Sequence, residues 1–230
     1  MAVPEKIVFE EPEPVKGFFG RKHLPPPDKL PHFSNLQFKK SYKVKRAHVI
    51  VNPYSGKKKG LVAAQRVKEE LSNTNIKVEV HITKEPEHAI SIVRDLELSN
   101  GDALVTVGGD GTFCEVISGF MDRKDKSNEK IPLALVPAGT GNSQANDMGI
   151  IDYMTAIQKI TDGRVRQMDI AKTQFSVGED RAVRYSHNLV GWGLGVDSNI
   201  LAEKMRFLGP LRYDIGALMS IIRGKVRRAK

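Results

Sequence analysis

Gly108-Gly109-Asp110-Gly111-Thr112 decides the fold, because it closes the apolar run Ala103-Leu104-Val105-Thr106-Val107 and opens an amphipathic one. A short β-branched run that ends on paired glycines and passes into a helical apolar period reads as buried strand, turn and helix. Phe113, Val116, Ile117, Phe120 and Met121 form the stripe of that helix. The same grammar recurs where Ile131-Pro132-Leu133-Ala134-Leu135-Val136 leads into Pro137-Ala138-Gly139-Thr140-Gly141-Asn142. Glycines at strand ends let backbone amides approach a phosphate with no side chain between them. One carboxylate, Asp110, stands among these turns. An acid in an anion-binding turn is costly unless it holds a metal or takes a proton, and that combination points to phosphoryl transfer.

Outward from these turns, strands and helices alternate. Ala47 to Val51 reads as a strand that ends in the turn Asn52-Pro53-Tyr54-Ser55-Gly56. Leu61, Ala64, Val67 and Leu71 follow at helical spacing, then Val78, Val80 and Ile82 alternate as a strand. Ile90, Val93 and Leu96 mark a second helix with Pro86 near its first turn, and Tyr153 to Ile160 a further one. This order predicts an α/β fold, a three-layer parallel-sheet nucleotide-binding domain over residues 46–163. Residues 1–45 hold seven of the twelve prolines and read as a Pro-rich extension or linker. Beyond Gly163 the pattern changes to paired strands, Val165 to Phe175 and Ala182 to Gly191, joined at Gly178-Glu179-Asp180. A helical region follows from about Asn199 and is broken at Gly209-Pro210, so residues 164–230 read as the start of an incomplete β-rich domain.

Other motifs carry less. The Asn52 to Gly60 stretch lacks the spacing of a Walker loop, and neither later turn fits Gly-x-Gly-x-x-Gly. Amides there and the Ser55 hydroxyl are placed to meet a phosphate, whereas Lys57, Lys58 and Lys59 fit a solvated turn equally well. Thr112-x-x-Glu115 reads as a capping box, which gives Glu115 a structural share. Among Gly191-Trp192-Gly193-Leu194-Gly195 and its flank, Asp197 is the better-placed polar group. The six histidines show no pair at helical spacing and no cysteine partner, so no zinc site is expected. Ser143 and Ser186 lack the setting of a nucleophile elbow.

The 230 residues carry a formal net charge of +9 and one cysteine, Cys114. That excludes an internal disulfide framework, makes a reducing compartment the default and suits an anionic partner. No apolar run is long enough for a transmembrane helix.

Taken together, the Asn52-Pro53 turn, the Gly108 and Pro137 turns and Ala202-Glu203-Lys204-Met205-Arg206-Phe207-Leu208-Gly209-Pro210-Leu211-Arg212 resemble the diacylglycerol kinase catalytic superfamily of lipid kinases. The sphingosine and ceramide kinase branch is the most similar, from about Ala47 to the last residue. The resemblance implies ATP in a cleft between a nucleotide domain and a β-rich lipid domain. It implies Asn52, Ser55, Gly56, Thr83, Gly108, Gly109, Gly111, Thr112, Glu115, Gly139, Thr140, Gly141 and Asn142 on the nucleotide side, with Arg206 and Arg212 on its phosphates. Asp110 is then the catalytic base that takes the proton of a lipid hydroxyl, and Mg2+ bridges phosphate oxygens with no protein ligand assigned to it. Asp197 and Asn199 fall to the lipid substrate. Sphingosine kinases carry an acid where this chain has Asn199, which weakens the match to a cationic sphingoid base and keeps ceramide in view.

The resemblance also implies a cytoplasmic protein peripheral to membranes, in transient contact with their surface, and no nucleic-acid partner. A late acidic segment of the family has no counterpart here, so a fragment with low activity and aggregation-prone strand edges is expected. Two alternatives stand: an NAD kinase-like enzyme, and a catalytically inactive nucleotide- or membrane-binding module.

Overall fold

The computed structural model describes residues 15–16, 22–23 and 40–224, except 126, 128, 129, 140, 178, 179, 189, 190, 192 and 210. For residues 15, 16, 22, 23, 40, 57, 176, 177, 180, 181 and 206 it describes the backbone alone. Strands β1 (Val15–Lys16) and β2 (Lys22–His23) pair antiparallel in the proline-rich stretch. β3 (Lys40–Ser41) pairs antiparallel with β8 (Arg164–Val165), which follows the last helix of the sheet domain. The Tyr42 N–H donates to Gly163 O at 2.7 Å, and its hydroxyl accepts the Gly101 N–H at 2.9 Å. The chain therefore joins the domain several residues before the expected boundary at 46.

The sheet is parallel, as its alternating elements predict. Four strands run in the order β5 (Lys77–Ile82), β4 (Arg46–Val51), β6 (Asp102–Gly108) and β7 (Leu133–Pro137). β6 is buried at all seven positions, and β4 at every position after Arg46. Near-continuous apolar runs are what a strand covered on both faces requires.

Helices α2 (Gly60–Asn73) and α6 (Tyr153–Asp162) cover one face, where Ala64, Val67, Leu71, Ile157 and Ile160 pack on Val49, Val51, Val105 and Leu135. Helices α3 (His88–Asp95) and α4 (Asp110–Met121) cover the other through Ala89, Val93, Val116 and Phe120 on Ile50 and Leu104. Two short helices, α1 (Ser55–Lys58) and α5 (Ser143–Asp147), follow β4 and β7. Asp152 caps α6 by accepting the Thr155 N–H at 2.7 Å, and Gly163 at φ 64° ends it.

After β8, strands β9 (Ala171–Val177) and β10 (Asp180–Ser186) form the expected hairpin, with Asp180 paired to Val177. The first strand starts at Ala171 rather than Val165, because residues 164–165 pair with β3 instead. The hairpin residues Gly178 and Glu179 lie outside the described residues, as do Trp192 and the basic tail from 225. Helices α7 (Leu194–Lys204) and α8 (Leu211–Arg223) pack on each other so closely that a Cβ on Gly216 would lie 2.6 Å from Ser198 O. Leu218, Ile221 and Ile222 of α8 remain exposed.

At the amino ends of the strands, Arg46 grips the buried Asp102 carboxylate with Nε and Nη2 at 2.8 and 2.6 Å. Burial opposes the Asp102 charge, but Arg46 and the Ser99 N–H outweigh it and hold the carboxyl at about 2, below its usual 3.8. A depressed acid stabilises the fold above its unfolded pKa and loses that contribution as pH falls through the folded one. The Asp102 contribution is thus complete above about pH 3.8 and lost toward about pH 2. Arg46→Met removes the partner and leaves a buried carboxylate, so denaturant unfolding is expected to show a loss of about 3 kcal/mol.

Candidate active site

The carboxyl ends of three strands converge. From β4 the chain moves outward to β5, then returns across β4 to β6 and β7. The order thus reverses between β4 and β6, and open α/β sheets bind ligands in the crevice beyond such a point. The turn after β4 and the Gly108 turn flank that crevice, and the Pro137 turn stands next to them.

Main-chain bonds tie the turns together. The Asn52 N–H donates to Val107 O at 3.3 Å, and the Ala138 N–H to Gly108 O at 2.9 Å. Asn52 Nδ2 donates to Thr112 Oγ1 at 3.3 Å while its Oδ1 accepts the Tyr54 N–H at 2.9 Å. Gly56 turns at φ +55°, and a Cβ there would lie 2.4 Å from Ala138 O. Gly109 and Gly139 meet backbone to backbone, since a Cβ on Gly139 would lie 2.6 Å from Gly109 Cα. Asn142 fixes the third turn from a left-handed conformation, accepting the Gly139 N–H at 2.8 Å and donating to Gly139 O at 3.0 Å. At Gly56, Gly109 and Gly139 the three turns thus meet in one surface too close for a Cβ, which is the form a phosphate cradle takes.

Asp110 lies in the first turn of α4, and its carboxylate reaches the third turn. Oδ2 accepts the Ser143 N–H at 3.0 Å and Oδ1 the Gln144 N–H at 2.9 Å, both at the start of α5. One edge of the carboxylate is thereby locked against rotation. The expected capping box at Thr112 does not form. α4 starts at Asp110 with Gly109 as its N-cap and no side-chain cap, and the Thr112 hydroxyl is taken by Asn52. Asp110 does cap a helix, but the next one along.

The remaining expected positions fall around this centre to differing degrees. Thr83 is buried at the end of β5 and its N–H donates to Val51 O at 2.9 Å. The Ser55 N–H donates to Asn52 O at 3.1 Å inside the first turn. Gly111 opens onto free space, Gly141 lies beside Asp110 Oδ2, and Glu115 is half-buried one turn along α4. Thr140 lies outside the described residues, as does the side chain of Arg206, whose backbone starts a short 3-10 helix, Arg206–Leu208. Arg212 is buried, with its guanidinium over the Tyr213 ring, Nη2 2.7 Å from that hydroxyl and 3.8 Å from Glu203. These described partners place it within the α7–α8 pair. Asp197 is half-buried in the first turn of α7, and Asn199 is exposed two residues on.

Sequence reading passed over His187. It follows β10, stacks edge-on against Phe113 with centroids 4.9 Å apart, and buries both ring nitrogens with no hydrogen-bond partner among the described residues. Burial pushes its pKa down while the Asp110 charge pulls it up, so it lies within reach of that acid's field. Its only sequence signal was a histidine just past a strand end.

Residues 46–173 match the family model described as the diacylglycerol kinase catalytic domain, which is more than half of the chain. The chain belongs to that family. The diacylglycerol kinase match begins at the first residue of β4 and ends inside β9, so all three turns and Asp110 lie within it. Sphingosine kinase 1 of Arabidopsis thaliana is 35% identical over 185 residues, covering 77% of this chain and 37% of the relative. Sphingosine kinase B of Dictyostelium discoideum is 36% identical over 155 residues, 64% of this chain and 20% of its own length. Sphingosine kinase 1 of Homo sapiens is 30% identical over 185 residues, 76% of this chain and 48% of the human protein. The chain spans less than half the length of each of these relatives. Among solved structures, a putative diacylglycerol kinase from Bacillus anthracis str. Sterne is similar with a TM-score of 0.46 at 22% identity, over 57% of this chain and 45% of that one.

Proposed function

We propose that the three turns bind the phosphates of ATP and that Asp110 drives transfer of the γ-phosphate to a lipid hydroxyl. The convergence of the turns around a fixed carboxylate carries this reading. Asp110 accepts the hydroxyl proton, the alcohol oxygen bonds to the γ-phosphorus, and the bond to the leaving ADP oxygen breaks. Backbone N–H groups at Gly56, Gly109 and Gly141 hold phosphate oxygens, with Asn52, Ser55, Thr83, Gly108, Gly111, Thr112, Glu115, Gly139, Thr140 and Asn142 lining the nucleotide side. Mg2+ supplies charge neutralisation on the phosphate oxygens when bound. Arg206 and Arg212 add positive charge from the second region.

The lipid is a sphingoid base ahead of ceramide and diacylglycerol, which the sphingosine kinase relatives favour. Asp197 and Asn199 are the substrate positions. Among the described residues no helix is long and apolar enough to cross a membrane. The proposal includes transient, peripheral contact with a membrane surface on the cytoplasmic side and no nucleic-acid partner. The NAD kinase alternative draws no support from these relatives.

Incubation with labelled ATP, Mg2+ and vesicles bearing sphingosine, ceramide or diacylglycerol tests the assignment. Label is expected on sphingosine first. Preferential label on diacylglycerol, or transfer to NAD, would overturn the substrate, and failure to bind ATP would overturn the site.

A further inference from the structure

A second cluster of functional side chains lies on the neighbouring strands β4 and β5, outside the three turns. β4 and β5 pair in a register that sets His48 beside Glu79 and Ile50 beside His81. His48 shares the face of Ile50, which packs against α3, and is only 2% exposed. His48 Nδ1 lies 3.2 Å from His81 Nε2 and 3.6 Å from Glu79 Oε2. One ligand atom from each of the three residues falls within 4.8 Å of the others. Four residues of strand separate His48 from Asn52, about 13 Å along the sheet.

The spacing suits a metal. Two nitrogens bound to zinc at 2.0–2.1 Å stand about 3.3 Å apart in a tetrahedron, close to the separation of these two rings. The far side of His48 supports the same conclusion. Its Nε2 is buried with no hydrogen-bond partner and lies 3.6 Å from Asp102 Oδ2. A carboxylate there favours the tautomer with the proton on Nε2, which leaves the Nδ1 lone pair pointing at His81 and Glu79. A carboxylate behind a histidine is the usual outer support of a metal ligand.

Without a cation that arrangement is only half satisfied. A proton shared between the imidazoles answers the His48–His81 pair but leaves Glu79 Oε2 opposite the same lone pair. Glu79 Oε1 is already occupied by Lys77 Nζ at 2.7 Å, so Oε2 is the oxygen turned toward the rings. Arg46 bonds Asp102 and lies 3.7 Å from Glu79 Oε1, the same oxygen that Lys77 holds, so Oε2 stays turned to the rings.

We propose that His48 Nδ1, His81 Nε2 and a Glu79 carboxylate oxygen form a zinc-class metal site, oriented by Asp102 behind His48. The metal clips the edge strand β5 to β4, and the half-buried positions of Glu79 and His81 leave a coordination position open to water. The site stands independently of the phosphoryl-transfer reading. It also reverses the sequence expectation of no zinc, because the ligands come from adjacent parallel strands and not from one helix.

A tag-free preparation of the chain titrated with Co2+ tests the site through its visible absorption. One equivalent is expected to give the intense bands of a tetrahedral complex, and Zn2+ to displace it. His81→Ala, a change on the edge strand, is expected to lower affinity at least ~100-fold, and Glu79→Gln or Asp102→Asn about 10–100-fold. Zn2+ should raise the Tm of the wild-type chain and leave that of His81→Ala unmoved, with circular dichroism showing both folded in chelator. No stoichiometric Co2+ binding by the wild type, or equal binding by His81→Ala, would overturn the proposal.

Discussion

Asp110→Asn is expected to lower kcat for lipid phosphorylation at least ~100-fold, the share that a positioned general base contributes. The isosteric amide removes the basic oxygen but leaves the phosphate cradle intact, so ATP affinity should change little. Its structural cost is small. One amide oxygen still accepts from Ser143 or Gln144, and the loss of the other contact resembles the loss of a helix cap, about 1 kcal/mol. Steady-state kinetics beside a thermal melt separates the two roles. A kcat that survives the substitution removes Asp110 from the chemistry and leaves it as the cap of α5.

Gly139→Ala is expected to weaken ATP binding at least ~10-fold, because two backbone segments cannot both keep their places. The added Cβ would lie 2.6 Å from Gly109 Cα, 3.1 Å from Gly109 N and 2.9 Å from Asn142 Oδ1. None of the backbone atoms has a rotamer through which to escape, so the second and third turns must part. Gly195→Ala provides the contrast, with nothing within 4 Å of its Cβ and a helical position in α7. It should leave affinity unchanged and raise Tm slightly. Calorimetric ATP titration of the two variants checks this, and equal affinities would mean that contact between the turns is irrelevant to the nucleotide.

The layered fold was legible because burial on both faces leaves a plain mark. β4, β6 and β7 are dominated by Val, Ile, Leu and Ala, and each leads into residues suited to a sharp turn. Helix stripes such as Ala64, Val67 and Leu71 were equally plain. Pairing was not legible. Nothing local in Lys40–Ser41 says that it meets Arg164–Val165, and this contact shortened the expected strand at 165.

Capping failed for a related reason. Thr112 and Glu115 have the right spacing for a box, yet Gly109 starts the helix earlier and Asn52, from a turn far away in sequence, takes the threonine hydroxyl. The glycines and Asp110 announced the candidate site by residue type, whereas the orientation of the acid came from α5. His48 and His81 lie 33 residues apart, and only the β4–β5 register joins them. His187 had no more than its place after a strand to recommend it.

Main-chain nitrogens at three neighbouring strand ends are expected to hold the nucleotide phosphates. Amide NMR of the isotope-labelled chain during titration with ATP and Mg2+ reads those nitrogens one by one. The largest shifts are predicted at Gly56, Gly109, Gly141 and the residues beside them, saturating together. Saturating ATP that leaves these amides unmoved while shifting others would contradict the account.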